Sequence, residues 1–149
     1  MTCSYLEPFI ENPAVLQTRV NEAARWIFKY QPSLGFDGLA FTGLSGALFG
    51  FPLAYATGLP PLYVRKSDDT STHSCSSVEG ASRLVNKYLI IDDLVSSGKT
   101  IEAIRRRLRA HANGRLQCAG VLLYTDGGQL LGEIEGVSVW AYGEWSGQL

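Results

Sequence analysis

The chain has 149 residues, a formal net charge of −1 and 46% apolar residues, which predicts one globular domain over residues 1–149. A charge this near zero attracts neither nucleic acid nor an anionic membrane, and the apolar runs are shorter than the roughly 18 residues of a membrane span. We therefore expect neither as a partner. The N-terminus lacks a basic region followed by an apolar one, and the three cysteines are scattered, so we expect a cytoplasmic protein with free thiols.

Apolar runs separated by turn signals predict three helices and five strands. In chain order they are helix 13–30, strand 38–42, helix 47–58, strand 61–65, strand 87–93, a helix from 101 to about 113, strand 116–125 and strand 137–142. Asn12-Pro13 suits the start of the first helix and Gly58 the end of the second, although Pro52 would interrupt or kink that helix. Alternating strands and helices predict an α/β fold with a mainly parallel sheet flanked by helices.

Two connections differ from ordinary turns. Residues 43–46, Gly-Leu-Ser-Gly, are predicted to form a tight loop after the first strand. Residues 67–80, SDDTSTHSCSSVEG, are rich in Ser, Thr and Asp and almost without large apolar side chains. A connection of this length without structure of its own is usually functional or disordered, so we predict a mobile functional loop there.

The stretch YLIIDDLVSSGKTI, residues 88–101, ends in the Gly-Lys-Thr tail of a Walker A phosphate loop. A Walker A loop needs a glycine five positions before the Gly-Lys pair, and Asp93 occupies that position. A carboxylate at the mouth of a phosphate nest would repel the anion, so a P-loop nucleotide hydrolase is disfavoured.

The same stretch has the order strand, acid pair, small loop and helix. Residues 96–100 offer hydroxyls and backbone N–H groups at a helix N-terminus, which suits a phosphate monoester. Asp92 and Asp93 stand at the carboxyl end of a strand, where open α/β sheets bind ligands, and carboxylates accept hydrogen bonds from vicinal sugar hydroxyls. The residues therefore predict a site for a sugar phosphate.

The segment LIIDDLVSSGKT resembles the signature of the type I phosphoribosyltransferases, and the resemblance extends over about residues 37–126. It implies that family's fold, with a small hood and a mobile loop, and the donor 5-phosphoribosyl-1-pyrophosphate. Asp92 and Asp93 would hold the ribose 2′ and 3′ hydroxyls and favour the positive charge of the transition state. The residues that would bind the donor's 5′-phosphate are Ser96, Ser97, Gly98, Lys99 and Thr100.

The resemblance also places the pyrophosphate of the donor. The loop that would approach it consists of Gly43, Leu44, Ser45 and Gly46. Arg65 and Lys66 match a basic pair that follows the next strand in orotate and adenine enzymes, and Lys66 would also be catalytic. His73 lies in the loop 67–80, at the place of the family's catalytic lid. Mg²⁺ would be bound mainly through the pyrophosphate and ribose rather than by a metal site of the protein, and a homodimer is implied.

The acceptor is predicted to be a nucleobase of the adenine or orotate type, used in nucleotide salvage. In 6-oxopurine enzymes the position of Ser96 is typically an aspartate that contacts the purine, while Gly127 replaces an arginine usual in orotate enzymes. The base-covering hood would come from residues 1–35, from 126–149, or from both. Three aromatic residues near the C-terminus would either stack on a base or belong to the core or an interface: Trp140, Tyr142 and Trp145.

The run RRRLR, residues 105–109, lies on the helix whose Ile101, Ile104 and Leu108 face inward. Arg105, Arg106 and Arg109 are therefore predicted to face solvent or another subunit rather than nucleic acid. A regulatory protein that binds the donor without turnover stays an alternative. Regulators of this fold usually add a DNA-binding domain or a broad basic face, and neither is evident in this chain.

Overall fold

The computed structural model describes residues 12–66, 76–93, 97–124, 132–134 and 136–141. The α-helices in this part of the chain are α1 (Pro13–Leu34), α2 (Gly43–Thr57) and α3 (Lys99–His111). The strands are β1 (Gly38–Thr42), β2 (Pro61–Val64), β3 (Val78–Gly80), β4 (Lys87–Asp92), β5 (Gln117–Leu123), β6 (Gly132–Ile134) and β7 (Val137–Ala141), and a 3₁₀ turn covers Ser82–Leu84. No helix within these ranges is both long enough and apolar enough to cross a bilayer.

All seven strands join one sheet in the order β3-β2-β1-β4-β5-β7-β6. The five inner strands are parallel to one another, while β3 and β6 pair antiparallel with them at the two edges. The predicted α/β fold with a mainly parallel sheet and flanking helices is confirmed. The edge strands β3 and β6 were not predicted, and β3 corrects the prediction that residues 67–80 are a single unstructured loop.

The sheet reverses its winding between β1 and β4. The chain passes from β1 through α2 to β2 on one side of this point, and from β4 through α3 to β5 on the other. Neighbouring side chains of a strand point to opposite faces of the sheet. Helices α1 and α2 pack against one face, and α3 packs against the other. A crevice at the carboxyl ends of β1 and β4 is the ligand position expected for such a sheet.

Helix α1 begins as predicted and ends four residues later than predicted. The Asn12 side chain accepts a hydrogen bond from the Ala14 N–H at 3.1 Å, and Pro13 is the first helical residue. The helix continues through Pro32 to Gly35, whose φ of 73° is left-handed and whose N–H donates to the Gln31 carbonyl. The glycine ends the helix, whereas the proline lies inside its last turn.

Helix α2 begins at Gly43, so the tight loop predicted at 43–46 is instead its first turn. Its glycines allow close contact with the strand below: a Cβ at Gly46 would lie 3.1 Å from the Cβ of Phe41, and one at Gly50 would lie 2.3 Å from the Phe41 ring. The helix also runs through Pro52 to Thr57. Glycines that suggested a loop therefore permit packing of a helix on a strand.

Candidate functional site

The acid pair predicted from the sequence lies at the reversal point of the sheet. Asp92 is the last residue of β4, and both Asp92 and Asp93 are only 6% exposed. The Asp93 N–H donates to the Asp92 side chain at 2.9 Å, and the Tyr124 N–H donates to the Asp92 carbonyl at 3.1 Å. Strand pairing with the end of β5 thus fixes two carboxylates side by side in a buried position.

Burial raises the pKa of Asp92 above its ordinary value, and the adjoining Asp93 carboxyl raises that pKa further through a hydrogen bond and its negative charge. The positive charge of Lys66 acts in the opposite direction. The carboxyl of Asp92 therefore retains its proton to a higher pH than an exposed aspartate does. A pair of one carboxylate and one protonated carboxyl can both accept and donate hydrogen bonds, the carboxylate as acceptor and the protonated carboxyl as donor.

Lys66 connects the acid pair with the start of α2. It follows β2, and a Cβ built on Gly43 would lie 2.8 Å from its Cε and 3.0 Å from its Nζ. Gly43 has a φ of 67°, a left-handed conformation that side chains disfavour. The absence of a side chain at Gly43 therefore lets the Lys66 ammonium lie against the backbone of the first turn of α2.

Two helix N-termini open at this edge of the sheet. Thr42 precedes α2, but its hydroxyl donates to the Val64 carbonyl, and Gly98 precedes α3 in a left-handed conformation. Within the described residues, neither helix has a side-chain cap from its N-cap residue. The first N–H groups of a helix lack partners inside the helix, so both starts offer donors and a favourable dipole to an anion.

Arg65 is oriented differently from Lys66, although the two were predicted to act together. Its Nη2 and Nε lie 3.1 and 3.3 Å from Oε1 of Glu79 on β3. Neighbouring residues at a strand end point to opposite sides, and the unpredicted strand β3 supplies the carboxylate. The structure therefore places Lys66 beside Gly43 and Asp92 and pairs Arg65 with Glu79.

Tyr124 is a residue of this site that was not predicted. Its hydroxyl donates to the Ser45 carbonyl at 2.9 Å, and its ring stacks on Phe49 with centroids 4.2 Å apart. Tyr124 thus joins the end of β5 to the first turn of α2, while its N–H holds Asp92. Tyr124 directly follows a buried strand, as the acid pair does, and this position was the sequence signal that could have indicated it.

The other predicted site residues are either exposed or lie outside the described residues. Ser97, Lys99 and Thr100 are exposed at the start of α3, where the Ser97 Oγ accepts from the Lys99 N–H at 3.4 Å. Leu44 points outward and is 71% exposed. The predictions for Ser96, His73, Gly127, Tyr142 and Trp145 lie outside the described residues.

Trp140 belongs to the core, the second of the two interpretations given for it. Its ring centroid is 5.5 Å from that of Trp26 on α1. A Cβ built on Gly120 of β5 would lie 2.4 Å from the Trp140 ring. Trp140 therefore packs between α1 and the sheet.

The sheet order and the position of the acid pair agree with the resemblance to the type I phosphoribosyltransferases, and known proteins of that kind are similar to this chain. No family model matches the sequence. The adenine phosphoribosyltransferase of Aliivibrio fischeri is 28% identical over 158 aligned positions, which cover 93% of this chain and 82% of that protein.

Three solved structures share the fold. Adenine phosphoribosyltransferase of Saccharomyces cerevisiae has a TM-score of 0.64 at 18% identity, covering 91% of this chain and 82% of that one. Orotate phosphoribosyltransferase of Aeropyrum pernix has a TM-score of 0.63 at 13% identity, covering 92% and 75%. UMP synthase of Leishmania donovani has a TM-score of 0.66 at 19% identity, and this chain covers 28% of the length of that protein. The resemblance to the type I phosphoribosyltransferases is confirmed, and the relative and two of these three structures are named as phosphoribosyltransferases.

Proposed function

We propose that the protein transfers the 5-phosphoribosyl group from phosphoribosyl pyrophosphate to a nucleobase and releases pyrophosphate. The observation that carries this proposal is the buried pair Asp92 and Asp93 at the reversal point of the sheet, with the N-termini of α2 and α3 opening at the same edge. The donor has the matching chemistry, because its ribose carries vicinal hydroxyls between a 5′-phosphate and a 1-diphosphate.

Each part of the donor finds a suitable group in this arrangement. The 5′-phosphate would bind residues 96–100 at the start of α3, and the diphosphate would bind the N–H groups of residues 43–46 and the Lys66 ammonium. The ribose hydroxyls would bind Asp92 and Asp93. The yeast adenine phosphoribosyltransferase structure contains an imino-altritol bisphosphate together with adenine, a ligand set with two phosphates and a base.

The reaction breaks the bond between C1 of the ribose and the diphosphate oxygen, and the electron pair leaves with pyrophosphate. The amides of α2 and Lys66 stabilise this negative charge, while the acid pair Asp92 and Asp93, with its negative charge, lies near the ring that becomes positive. A lone pair on a nitrogen of the base then forms the new bond to C1. The protein contributes mainly by positioning the reactants and stabilising both charges.

Mg²⁺ suits the chemistry of this site, because Asp92 and Asp93 supply carboxylate oxygens of the kind that this ion prefers. In the described ranges, no group of three or more His, Cys, Asp or Glu side chains forms a metal cage. We propose that the ion is held mainly by pyrophosphate and ribose oxygens of the donor, with the acid pair Asp92 and Asp93 beside it. When bound, Mg²⁺ would neutralise charge on the leaving pyrophosphate.

We propose an acceptor of the adenine or orotate type and a role in nucleotide salvage in the cytoplasm. Support comes from the relative named adenine phosphoribosyltransferase and from solved structures of both adenine and orotate enzymes. Ser96 lacks the carboxylate with which 6-oxopurine enzymes contact their base, which disfavours hypoxanthine, guanine and xanthine.

The test is an assay of pyrophosphate release with phosphoribosyl pyrophosphate, Mg²⁺ and a panel of bases. We expect turnover with adenine or orotate and none with hypoxanthine, guanine or xanthine. A reaction without base measures hydrolysis of the donor and is subtracted. Turnover only with a 6-oxopurine would contradict the acceptor assignment, and binding of the donor without turnover by any base would favour the regulatory alternative.

We also propose that the protein forms a homodimer through the outer face of α2. Leu44, Phe51 and Tyr55 follow each other at spacings of seven and four residues and are 71%, 47% and 93% exposed. Residues at these spacings lie on one side of a helix. An exposed apolar stripe of this kind is typical of a protein contact, and α2 also carries the proposed pyrophosphate site.

The combined substitution of Leu44→Glu and Tyr55→Glu is expected to convert the dimer to a monomer, because it would place four carboxylates in a two-fold interface. Light scattering after size-exclusion chromatography would then give half the wild-type mass. Phe28→Glu on α1 is the matched control, since Phe28 is 56% exposed but lies on another helix. A wild-type monomer, or a double variant that stays dimeric, would contradict this interface.

A further inference from the structure

A cavity of about 290 Å³ lies between the carboxyl ends of β1 and β2 and one side of α3. Its lining includes Thr42, Lys66 and Lys99, which adjoin or belong to the proposed donor site. It also includes Arg106 and Arg107, which have no part in the proposed transfer reaction. The cavity therefore extends from the donor site along α3.

The lining of this cavity is strongly basic. Five of its lining residues are cationic: Arg65, Lys66, Lys99, Arg106 and Arg107. The Arg65 guanidinium pairs with Glu79, but none of the described residues that line the cavity is acidic. Like charges that converge around a concave space create a positive potential, and this potential favours an anion.

The backbone of Arg106 and Arg107, which form a basic wall of the cavity, lies about two turns along α3 from the proposed site of the donor's phosphate. An α-helix rises about 1.5 Å per residue, so Arg106 lies about 10 Å along the axis from Lys99. A 5′-phosphate at the N-terminus of α3 would therefore leave the deeper part of the cavity free. The cavity volume of about 290 Å³ gives room for a chain of linked phosphates.

We propose that this cavity is a second anion site that binds a diphosphate or triphosphate group, either free or as part of a nucleotide. Arg106 and Arg107 bind the phosphates, and Arg107, which is half-buried, forms the inner contact. Lys66 and Lys99 stand between this site and the donor site. This inference depends on the proposed function in one respect, namely that the first turn of α3 binds the 5′-phosphate of the donor.

The test compares two double variants that remove the same charge. Arg106→Gln with Arg107→Gln removes the basic wall, whereas Arg83→Gln with Arg109→Gln removes two exposed arginines that do not line the cavity. Titration calorimetry with inorganic tripolyphosphate should show the Kd raised about tenfold or more by the first pair. The second pair should change it less than about twofold, as for isolated surface charges. The KM for phosphoribosyl pyrophosphate should stay near the wild-type value in both.

Equal weakening by both pairs would mean non-specific attraction and overturn the proposal. A donor KM that rises as much as the tripolyphosphate Kd in the Arg106 and Arg107 variant would also overturn it, because the cavity would then belong to the donor site. Titrations with ADP and with adenosine distinguish a nucleotide from a free polyphosphate as the ligand. Binding of ADP that depends on Arg106 and Arg107 supports a nucleotide, tripolyphosphate binding alone supports a free polyphosphate, and equal binding of adenosine contradicts an anion site. These binding results do not require turnover, so failure of the base panel remains a separate outcome.

Discussion

Replacing both buried acids, Asp92→Asn together with Asp93→Asn, is expected to weaken donor binding and yet stabilise the fold. Hydrogen bonds to charged groups contribute about 1.5–3 kcal/mol each, so loss of two carboxylates should raise the Kd for phosphoribosyl pyrophosphate roughly a hundredfold or more. The gain in stability follows from removing two adjacent buried carboxyls that repel each other when both ionise.

The pH dependence of unfolding distinguishes the removal of buried charge from a general loss of structure. Because the folded state raises the pKa of Asp92, the protonated carboxyl favours folding. Its contribution is fully present below the ordinary aspartate pKa of about 3.9 and is lost as pH rises through the raised pKa. At pH 8 the asparagine variant should therefore exceed the wild type by about 1 kcal/mol or more in free energy of unfolding, and the difference should shrink toward pH 4.

Asp37→Asn is the control with the opposite sign. Burial acts to raise the pKa of Asp37, but hydrogen bonds from Lys87 and Asn86 outweigh it, so the pKa is lowered. The ionised form then stabilises the fold above the ordinary pKa, and this stabilisation is lost as pH falls. Urea unfolding should show Asp37→Asn destabilised at pH 8 with unchanged donor binding. Loss of stability at pH 8 in the Asp92 and Asp93 variant, or donor binding that survives, would contradict the site.

The acid pair was predictable because its signal is local. Asp92 and Asp93 follow an apolar run that indicates a buried strand, and the end of such a strand is a ligand position in this class of fold. The parallel order of the inner strands followed likewise from the alternation of strands and helices. Strands β3 and β6 have three residues each, too few to show a pattern of alternating side chains.

The surroundings of the acids could not be predicted from the sequence, because they depend on contacts between distant parts of the chain. Gly43 and Gly46 indicated a loop in the sequence, and only the position of the Phe41 side chain shows that Gly46 and Gly50 let a helix approach a strand. The different orientations of Arg65 and Lys66 likewise depend on Glu79, which reaches Arg65 because β3 pairs with β2. Local sequence gave no indication of either contact.

Gly43→Ala is expected to reduce donor use far more than it reduces stability. An alanine at the φ of 67° would strain the backbone by about 1–2 kcal/mol. Its methyl group would also meet Lys66, where Cε and Nζ lie at 2.8 and 3.0 Å. The end of a lysine side chain moves easily, so this clash costs little folding energy but displaces the ammonium from the start of α2. We expect kcat/KM for phosphoribosyl pyrophosphate to fall about tenfold or more.

Gly58→Ala provides the matched control for backbone strain. Gly58 ends α2 with a φ of 72°, and a Cβ there would meet no atom within 4 Å. Both variants should therefore lose about 1–2 kcal/mol of unfolding free energy, while Gly58→Ala keeps the wild-type kcat/KM. Equal kcat/KM in the two variants would show that the position of Lys66 over Gly43 does not matter to the donor. A deficit confined to Gly43→Ala would instead mean that the start of α2 beside Lys66 is needed for donor use, beyond the energetic cost of backbone strain.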